Sequence, residues 1–272
     1  METIKFNMKK ALYVEPLGLA MLASSFSTEA AVAISDKITL SGDLRLRSED
    51  YNYNYKTDSD RSRLRLRVGA TIQATDTLRV KFRLRNNAAN NDSSHDTLGA
   101  DNSADFGYDQ AYVSYTGIEN LTLQGGKLPF KYFRNTELYL EDTQIPEGAS
   151  ATYKAGSITV NAAHYIIDET RNGAETDVSW DHLQLVYGVD NLTLGLGHIA
   201  LSENTSVRLG GEYEASEMTT LTAKAKMGKA TVKLDAIATN EDATTDFTGE
   251  GQAYILGVGY QFSGKLAASA SY

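Results

Sequence analysis

The chain has no cysteine, 1 tryptophan and 3 prolines in 272 residues. The missing cysteine excludes a disulfide framework, a thiolate zinc site and a cysteine nucleophile. No apolar run reaches about 18 residues, which excludes a bundle of membrane-spanning helices. Strands that cross a bilayer show lipid only every second residue, so a mean hydropathy of −0.34 leaves a membrane barrel open. Excess positive charge is absent too. The formal net charge of −9 argues against general nucleic-acid binding, although that sum hides strong local segregation of sign.

The first 33 residues read as a targeting segment. Lys5, Lys9 and Lys10 precede Leu17-Gly18-Leu19-Ala20-Met21-Leu22-Ala23, and Ala31-Val32-Ala33 has the small-x-small form of a signal-peptidase site. Glu15 and Pro16 interrupt the apolar run, and Met8 offers an alternative start. The expectation is an export signal over 1–33, cleaved after Ala33, and a mature chain over 34–272.

From Ile38 onward one period, two residues, runs through the chain, and no stretch carries a convincing 3.6-residue period. Leu64, Leu66, Val68, Ala70 and Ile72 alternate with Arg61, Arg63, Arg65, Arg67, Thr71 and Gln73. Leu78, Val80, Phe82 and Leu84 alternate with Arg79, Lys81, Arg83 and Arg85, and Ile38, Leu40, Leu44 and Leu46 with Asp43, Arg45 and Arg47. Similar alternation recurs at 111–115, 121–125, 148–154, 158–162, 183–189, 192–196, 207–215, 221–227, 232–238, 254–262 and 266–272. That makes about 14 strands, most near the ~9–11 residues that a tilted strand needs to cross a bilayer. Globular strands are shorter, with a mode of about 5–6.

One hairpin can be read pair by pair. A turn at Thr75-Asp76-Thr77 sets Val68 opposite Leu84, Ala70 opposite Phe82 and Ile72 opposite Val80. The other face pairs Gly69 with Arg83, Thr71 with Lys81 and Gln73 with Arg79, leaving only Arg67 and Arg85 as like charges face to face. A face so rich in guanidinium groups must be wet, because several arginines cannot be buried dry without partners.

Tight turns at 75–77, 118–120, 155–157 and 189–191 alternate with long polar loops at 50–60, 86–107, 129–147 and 168–179. Short turns at one end and long loops at the other form the outer-membrane barrel pattern. Gly117-Ile118-Glu119-Asn120-Leu121-Thr122-Leu123 is echoed by Gly188-Val189-Asp190-Asn191-Leu192-Thr193-Leu194, which reads as one short turn used twice. Counting strands onward from Thr205 puts the acidic loop 240–250 on the side of the short turns. Either one strand between 196 and 240 is surplus or one outer loop is very short.

Catalytic patterns are scarce. His95, His164, His182 and His198 lack zinc-protease spacing, and there is no Gly-x-Ser-x-Gly elbow. Asp101-Asn102-Ser103-Ala104-Asp105 lacks the glycine and terminal glutamate of a calcium loop. Gly195-Leu196-Gly197 opens no helix, so no nucleotide site is read there. The expectation is a non-enzyme without metal or cofactor. Tyr108, Tyr187 and Tyr260 suit an interfacial girdle.

Several pieces of this chain, in order, resemble the Gram-negative outer-membrane porins. They are the exported start, Gly42-Asp43-Leu44-Arg45-Leu46-Arg47, Arg61-Ser62-Arg63-Leu64-Arg65-Leu66-Arg67-Val68-Gly69, Ala111-Tyr112-Val113-Ser114-Tyr115, Leu123-Gln124-Gly125-Gly126-Lys127 and Gly259-Tyr260-Gln261-Phe262-Ser263. The resemblance implies an all-β, transmembrane, antiparallel up-and-down β-barrel of about 14–16 strands in the outer membrane. It implies passive diffusion of ions and small hydrophilic solutes through a water-filled pore, and a homotrimer among outer-membrane lipid and lipopolysaccharide. By the same resemblance the third long loop folds inward and narrows the pore, facing a basic wall. That loop is 129–147, with Lys131, Arg134, Glu137, Glu141, Asp142 and Glu147. The wall is Arg45, Arg47, Arg61, Arg63, Arg65, Arg67, Arg79, Lys81, Arg83 and Arg85.

The chain departs from the family at its end. Gly259-Tyr260-Gln261-Phe262-Ser263-Gly264-Lys265-Leu266 looks like the penultimate hairpin, which leaves Tyr272 without a closing strand after it. Alternatively Leu266, Ala268, Ala270 and Tyr272 form a complete terminal strand. The competing readings of the whole chain are a barrel with an adhesive or structural role and a soluble exported β-sheet binding protein.

Overall fold

The period-two pattern forces successive side chains to opposite faces, and the computed structural model consists of strands wherever that pattern holds. It describes residues 10–14, 20–51, 59–87, 94–99, 105–136, 138, 145–168, 177–202, 204–206, 211–213, 216–241, 251–263 and 266–271. The strands are β1 (Lys10–Val14), β2 (Ala20–Ala33), β3 (Ile38–Tyr51), β4 (Ser59–Gln73), β5 (Leu78–Asn86), β6 (Asp96–Thr97), β7 (Phe106–Ile118), β8 (Leu121–Lys127) and β9 (Glu147–Ala155). They continue as β10 (Ile158–Asp168), β11 (Val178–Val189), β12 (Leu192–Leu201), β13 (Asn204–Ser206), β14 (Gly211–Tyr213), β15 (Ser216–Met227), β16 (Ala230–Glu241), β17 (Gly251–Ser263) and β18 (Leu266–Ser271). The chain divides into two units, residues 1–111 with 257–272, and residues 112–256.

In the first unit β1, β2, β3, β4, β5 and the start of β7 follow one another as an antiparallel meander, and β17 pairs with β18. The hairpin of β4 and β5 has the register expected from its turn: Val68 faces Leu84, Ala70 faces Phe82, Ile72 faces Val80, and Arg67 faces Arg85. Beyond Arg67 the two-residue strand β6 takes over as a partner of β4, with Arg63 opposite Thr97 and Leu64 opposite Asp96. Asn86 bridges the change of partner. Its side-chain amide accepts from the Leu66 N–H at 2.6 Å and donates to the Leu64 carbonyl at 3.1 Å, standing in for strand backbone. The segment expected to be a leader also carries strand structure. β2 pairs with β3 from Ser24 opposite Ser48 to Ala33 opposite Thr39, which satisfies the outer backbone edge of β3. β18 ends at Ser271, and Tyr272 lies outside the described residues.

In the second unit the remainder of β7 and strands β8 to β12, β15 and β16 form the meander. Two-residue turns join β7 to β8 at Glu119-Asn120 and β11 to β12 at Asp190-Asn191. The echoed sequence is not solved identically in both places: the left-handed residue is Asn120 (φ 61°) in one turn and Asp190 (φ 44°) in the other. Of the strand expected at 207–215, only 211–213 fall within the described residues. β12 runs on to Leu201, and β13 and β14 form a small hairpin of their own before β15 begins at Ser216. Because β12 pairs directly with β15, β13 and β14 stand outside the spanning series, which removes the surplus strand.

The two faces of these strands are inverted relative to a soluble protein. Phe82, Leu183 and Leu196 are 42%, 57% and 57% exposed, whereas Arg65, Gln184 and Asp235 are 6%, 0% and 0% exposed. Apolar rows on the uncovered face and polar rows on the covered one are the arrangement of a sheet whose outer solvent is hydrocarbon. Among the described residues of the second unit the buried apolar cluster is small: Tyr132 and Ile199, packed against Phe130, Trp180 and Met218.

Candidate functional site

Parity decides which charges share a face in the first unit. Asp43, Arg45, Arg47 and Glu49 are alternate residues of β3, and Arg61, Arg63, Arg65 and Arg67 are alternate residues of the facing β4. The register sets Asp43 opposite Arg67, Arg45 opposite Arg65, Arg47 opposite Arg63 and Glu49 opposite Arg61. The carboxylates at either end of the row draw the arginines into two groups. Asp43 accepts from Arg65 at 2.8 Å and also from Arg67 Nε. Glu49, nearly buried, accepts from Arg61 Nε at 2.5 Å and Arg47 Nη1 at 2.9 Å, with Arg63 Nη1 at 3.9 Å. On the next strands Arg83 is held by both oxygens of Asp109, at 2.8 and 2.7 Å. Arg79 Nε donates to Gln73, and Arg85 is buried.

All ten basic residues expected on one face therefore lie on β3, β4 and β5. What the sequence reading missed is their neutralisation. Asp43 and Glu49 carry the same odd parity as the arginines of β3, and that was the available signal. Asp109 had none, because it sits 26 residues from Arg83. The segment after β5 covers part of this row: the His95 carbonyl accepts from Arg63 Nη2 and from Asn87 Nδ2, both at 2.9 Å. Burial holds the His95 imidazole down to about 3, and Arg47, Arg65, Arg63 and Arg45 add to the effect by repelling its charged form.

The second unit holds the loop. After β8 the chain runs along the polar face of β10, β11, β15 and β16, and each of those strands supplies one side chain to it. The Lys131 N–H donates to Tyr165 Oη at 3.1 Å. Phe133 is bound on both edges of its peptide by Gln184, which accepts from the N–H at 2.7 Å and donates to the carbonyl at 2.8 Å. Tyr132 Oη and Thr220 Oγ1 are hydrogen-bonded at 2.5 Å. Asp235 accepts from the Asn135 N–H at 2.9 Å, the Thr136 N–H at 2.6 Å and Thr136 Oγ1 at 2.7 Å. Room for the rings comes from β12. A Cβ on Gly197 would lie 1.7 Å from Tyr132 Oη, and one on Gly195 would lie 3.0 Å from Phe133. The Gly195-Leu196-Gly197 motif thus makes a trough for the loop.

Of the residues expected on this loop, Lys131 and Arg134 lie in it, and burial lowers the Lys131 ammonium from its ordinary value. Glu147 does not: it opens β9 and pairs with Lys127 at 3.7 Å, because strand pairing with β8 begins there. Glu137, Glu141 and Asp142 lie outside the described residues. The anchors Tyr165, Gln184, Thr220 and Asp235 were not foreseen. Among the described residues no group of three or more histidines and carboxylates is placed to hold a metal ion.

Comparison with known proteins agrees with this geometry. Residues 48–168 match the family described as "Putative porin". No curated protein matches the chain. Among solved structures, OmpF of Salmonella typhi, in complex with daunomycin, is similar with a TM-score of 0.54 at 10% identity, covering 94% of this chain and 83% of that one. A mutant porin of Rh. blastica aligns at 14% identity with a TM-score of 0.44, covering 86% of this chain and 93% of that one. The fold is thus the antiparallel transmembrane β-barrel. The family match at 48–168, the shared fold and the inverted faces together identify a β-barrel of the Gram-negative outer membrane that is similar to the porins.

Proposed function

We propose that this barrel is a porin that lets ions and small hydrophilic solutes diffuse passively through a water-filled lumen, and that it acts as a channel rather than an enzyme. The observation that carries the reading is the pairing of exposed aliphatic rows with a covered, densely charged and hydroxylated face. Such a face is stable only if it is wet. Selectivity in a wet pore comes from its narrowest width and from fixed charge along the wall. The loop segment 128–136 adds bulk to the polar face of its unit and sets the width there. The arginine row supplies charge, moderated by Asp43, Glu49 and Asp109, so selectivity is modest. Planar-bilayer recordings of refolded protein are expected to show discrete conductance steps, and a protein that folds yet yields none refutes the reading. Replacing Arg65, Arg67, Lys81 and Arg83 together by alanine is expected to move the reversal potential toward cations.

The same reading includes a homotrimer embedded in outer-membrane lipid and lipopolysaccharide, and removal of residues 1–33 on export. A slowly migrating unboiled species on gels tests the first. Amino-terminal sequencing of protein taken from outer membranes tests the second. Cleavage after Ala33 takes β1 and β2 from the first unit and leaves β3 in need of a new neighbour.

A further inference from the structure

The wall of the second unit carries cations that the arginine row does not account for. Thr220, Thr222 and Lys224 alternate along β15, and Lys233 and Asp235 along β16, and the register sets Thr222 opposite Asp235 and Lys224 directly opposite Lys233. Thr220, Thr222 and Asp235 are buried on the polar face beside the loop, while Leu221 is exposed on the other. Parity places both lysines on the polar face, one step beyond the loop anchor toward the Gly228-Lys229 turn. Lys226 follows them on the same side.

Two ammonium groups on directly opposed residues repel each other, and sheets ordinarily avoid such pairs. A carboxylate would relieve the repulsion, as Asp43 does between Arg65 and Arg67. Among the described residues none is free to do so here. Among the described residues neither lysine has an ion pair, and neighbouring Asp235 is turned to the loop, its Oδ2 accepting from the Asn135 and Thr136 N–H groups and the Thr136 hydroxyl and its Oδ1 from Asn135. The floor beside the pair is open and lightly polar. Lys224 faces Thr193 across β12, Thr193 faces Gly188 on β11, and a Cβ on Gly188 would meet nothing within 4 Å.

We propose that Lys224 and Lys233 form a binding site for a small, multiply charged oxyanion of the phosphate or sulfate class. The anion supplies the negative charge that the sheet lacks, and the Thr193 hydroxyl lines the space beside it. The inference rests on the reading that this face lines the water-filled lumen, and it names one class of solute that the lumen retains.

The test is calorimetric titration of inorganic phosphate into full-length protein refolded in zwitterionic detergent at low ionic strength. The Lys224→Gln/Lys233→Gln variant is expected to bind phosphate at least about tenfold more weakly than wild type, a loss of about 1.4 kcal/mol, while Lys224→Arg/Lys233→Arg keeps the affinity. Unboiled gel mobility reports folding. If the double glutamine variant does not fold, each single glutamine variant is read instead and is expected to weaken binding. Wild-type protein that binds no phosphate, or a folded glutamine variant that binds it as wild type does, overturns the proposal. Bilayer recordings separate this from the pore reading, since absent conductance steps refute the pore while the calorimeter still reads the site.

Discussion

Asp235 is the strongest single fastening of the loop, and its removal tests the packing of the second unit. Its carboxylate accepts two backbone N–H groups, from Asn135 and Thr136, and the Thr136 hydroxyl, all at 2.9 Å or less. Hydrogen bonds to a charged group contribute about 1.5–3 kcal/mol each, and a half-buried N–H left without an acceptor costs about 1–3 kcal/mol. Contacts sharing one carboxylate do not add fully, so Asp235→Ala should weaken the local closure of residues 135–136 by about 3–5 kcal/mol. At about 1.4 kcal/mol per tenfold, amide exchange at Asn135 and Thr136 should accelerate by roughly a hundred- to a thousand-fold or more. The Phe133 amide is held separately by Gln184 and should keep most of its protection, which distinguishes local release from global unfolding. Asp235→Asn retains one acceptor oxygen and should fall between the two. Hydrogen exchange read by mass spectrometry on detergent-folded protein is the assay. Protection of 135–136 within about threefold of wild type in Asp235→Ala would refute the claim that this carboxylate pins the loop.

Four further outcomes follow from the same geometry. Gly197→Ala puts a methyl group where Tyr132 Oη lies and should destabilise the folded protein by about 1–3 kcal/mol in urea titration, with partial rescue by Tyr132→Ala through the shared site. Asp43→Asn leaves Arg65 and Arg67 adjacent without their counter-charge and should cost about 3 kcal/mol, read as the urea midpoint in liposomes; an unchanged midpoint would show that water already neutralises them. Because the folded His95 value lies below the ordinary one, its contribution is fully present above about pH 6.5 and is lost progressively as pH falls toward 3. Proteolysis around 94–98 should rise across that window in wild type, and less steeply in His95→Gln. Leu185→Lys, on an exposed aliphatic row, should weaken bilayer folding by about 2–4 kcal/mol, and a neutral result would argue against lipid contact at that row.

The turn at Thr75-Asp76-Thr77 and the alternation on both sides of it were enough to write the β4 and β5 pairing residue by residue, since a slip of one would turn every leucine to the wrong face. The same logic did not foresee that β12 pairs directly with β15, or that strand pairing claims Glu147 from the loop. Asp43 and Glu49 stand between these cases. Their parity was visible, but which arginines they bind depends on the register of β3 against β4.

By itself the sequence determined the element type, the face on which each strand residue lies and the alternation of short and long connections. Those depend on a two-residue period that neighbouring residues enforce on one another. Only the tertiary structure decided what holds the loop. Its anchors Tyr165, Gln184, Thr220 and Asp235 lie 34, 51, 88 and 100 residues from the atoms they bind. Pairings at such separations are set by the order and stagger of five strands, and no local pattern encodes them.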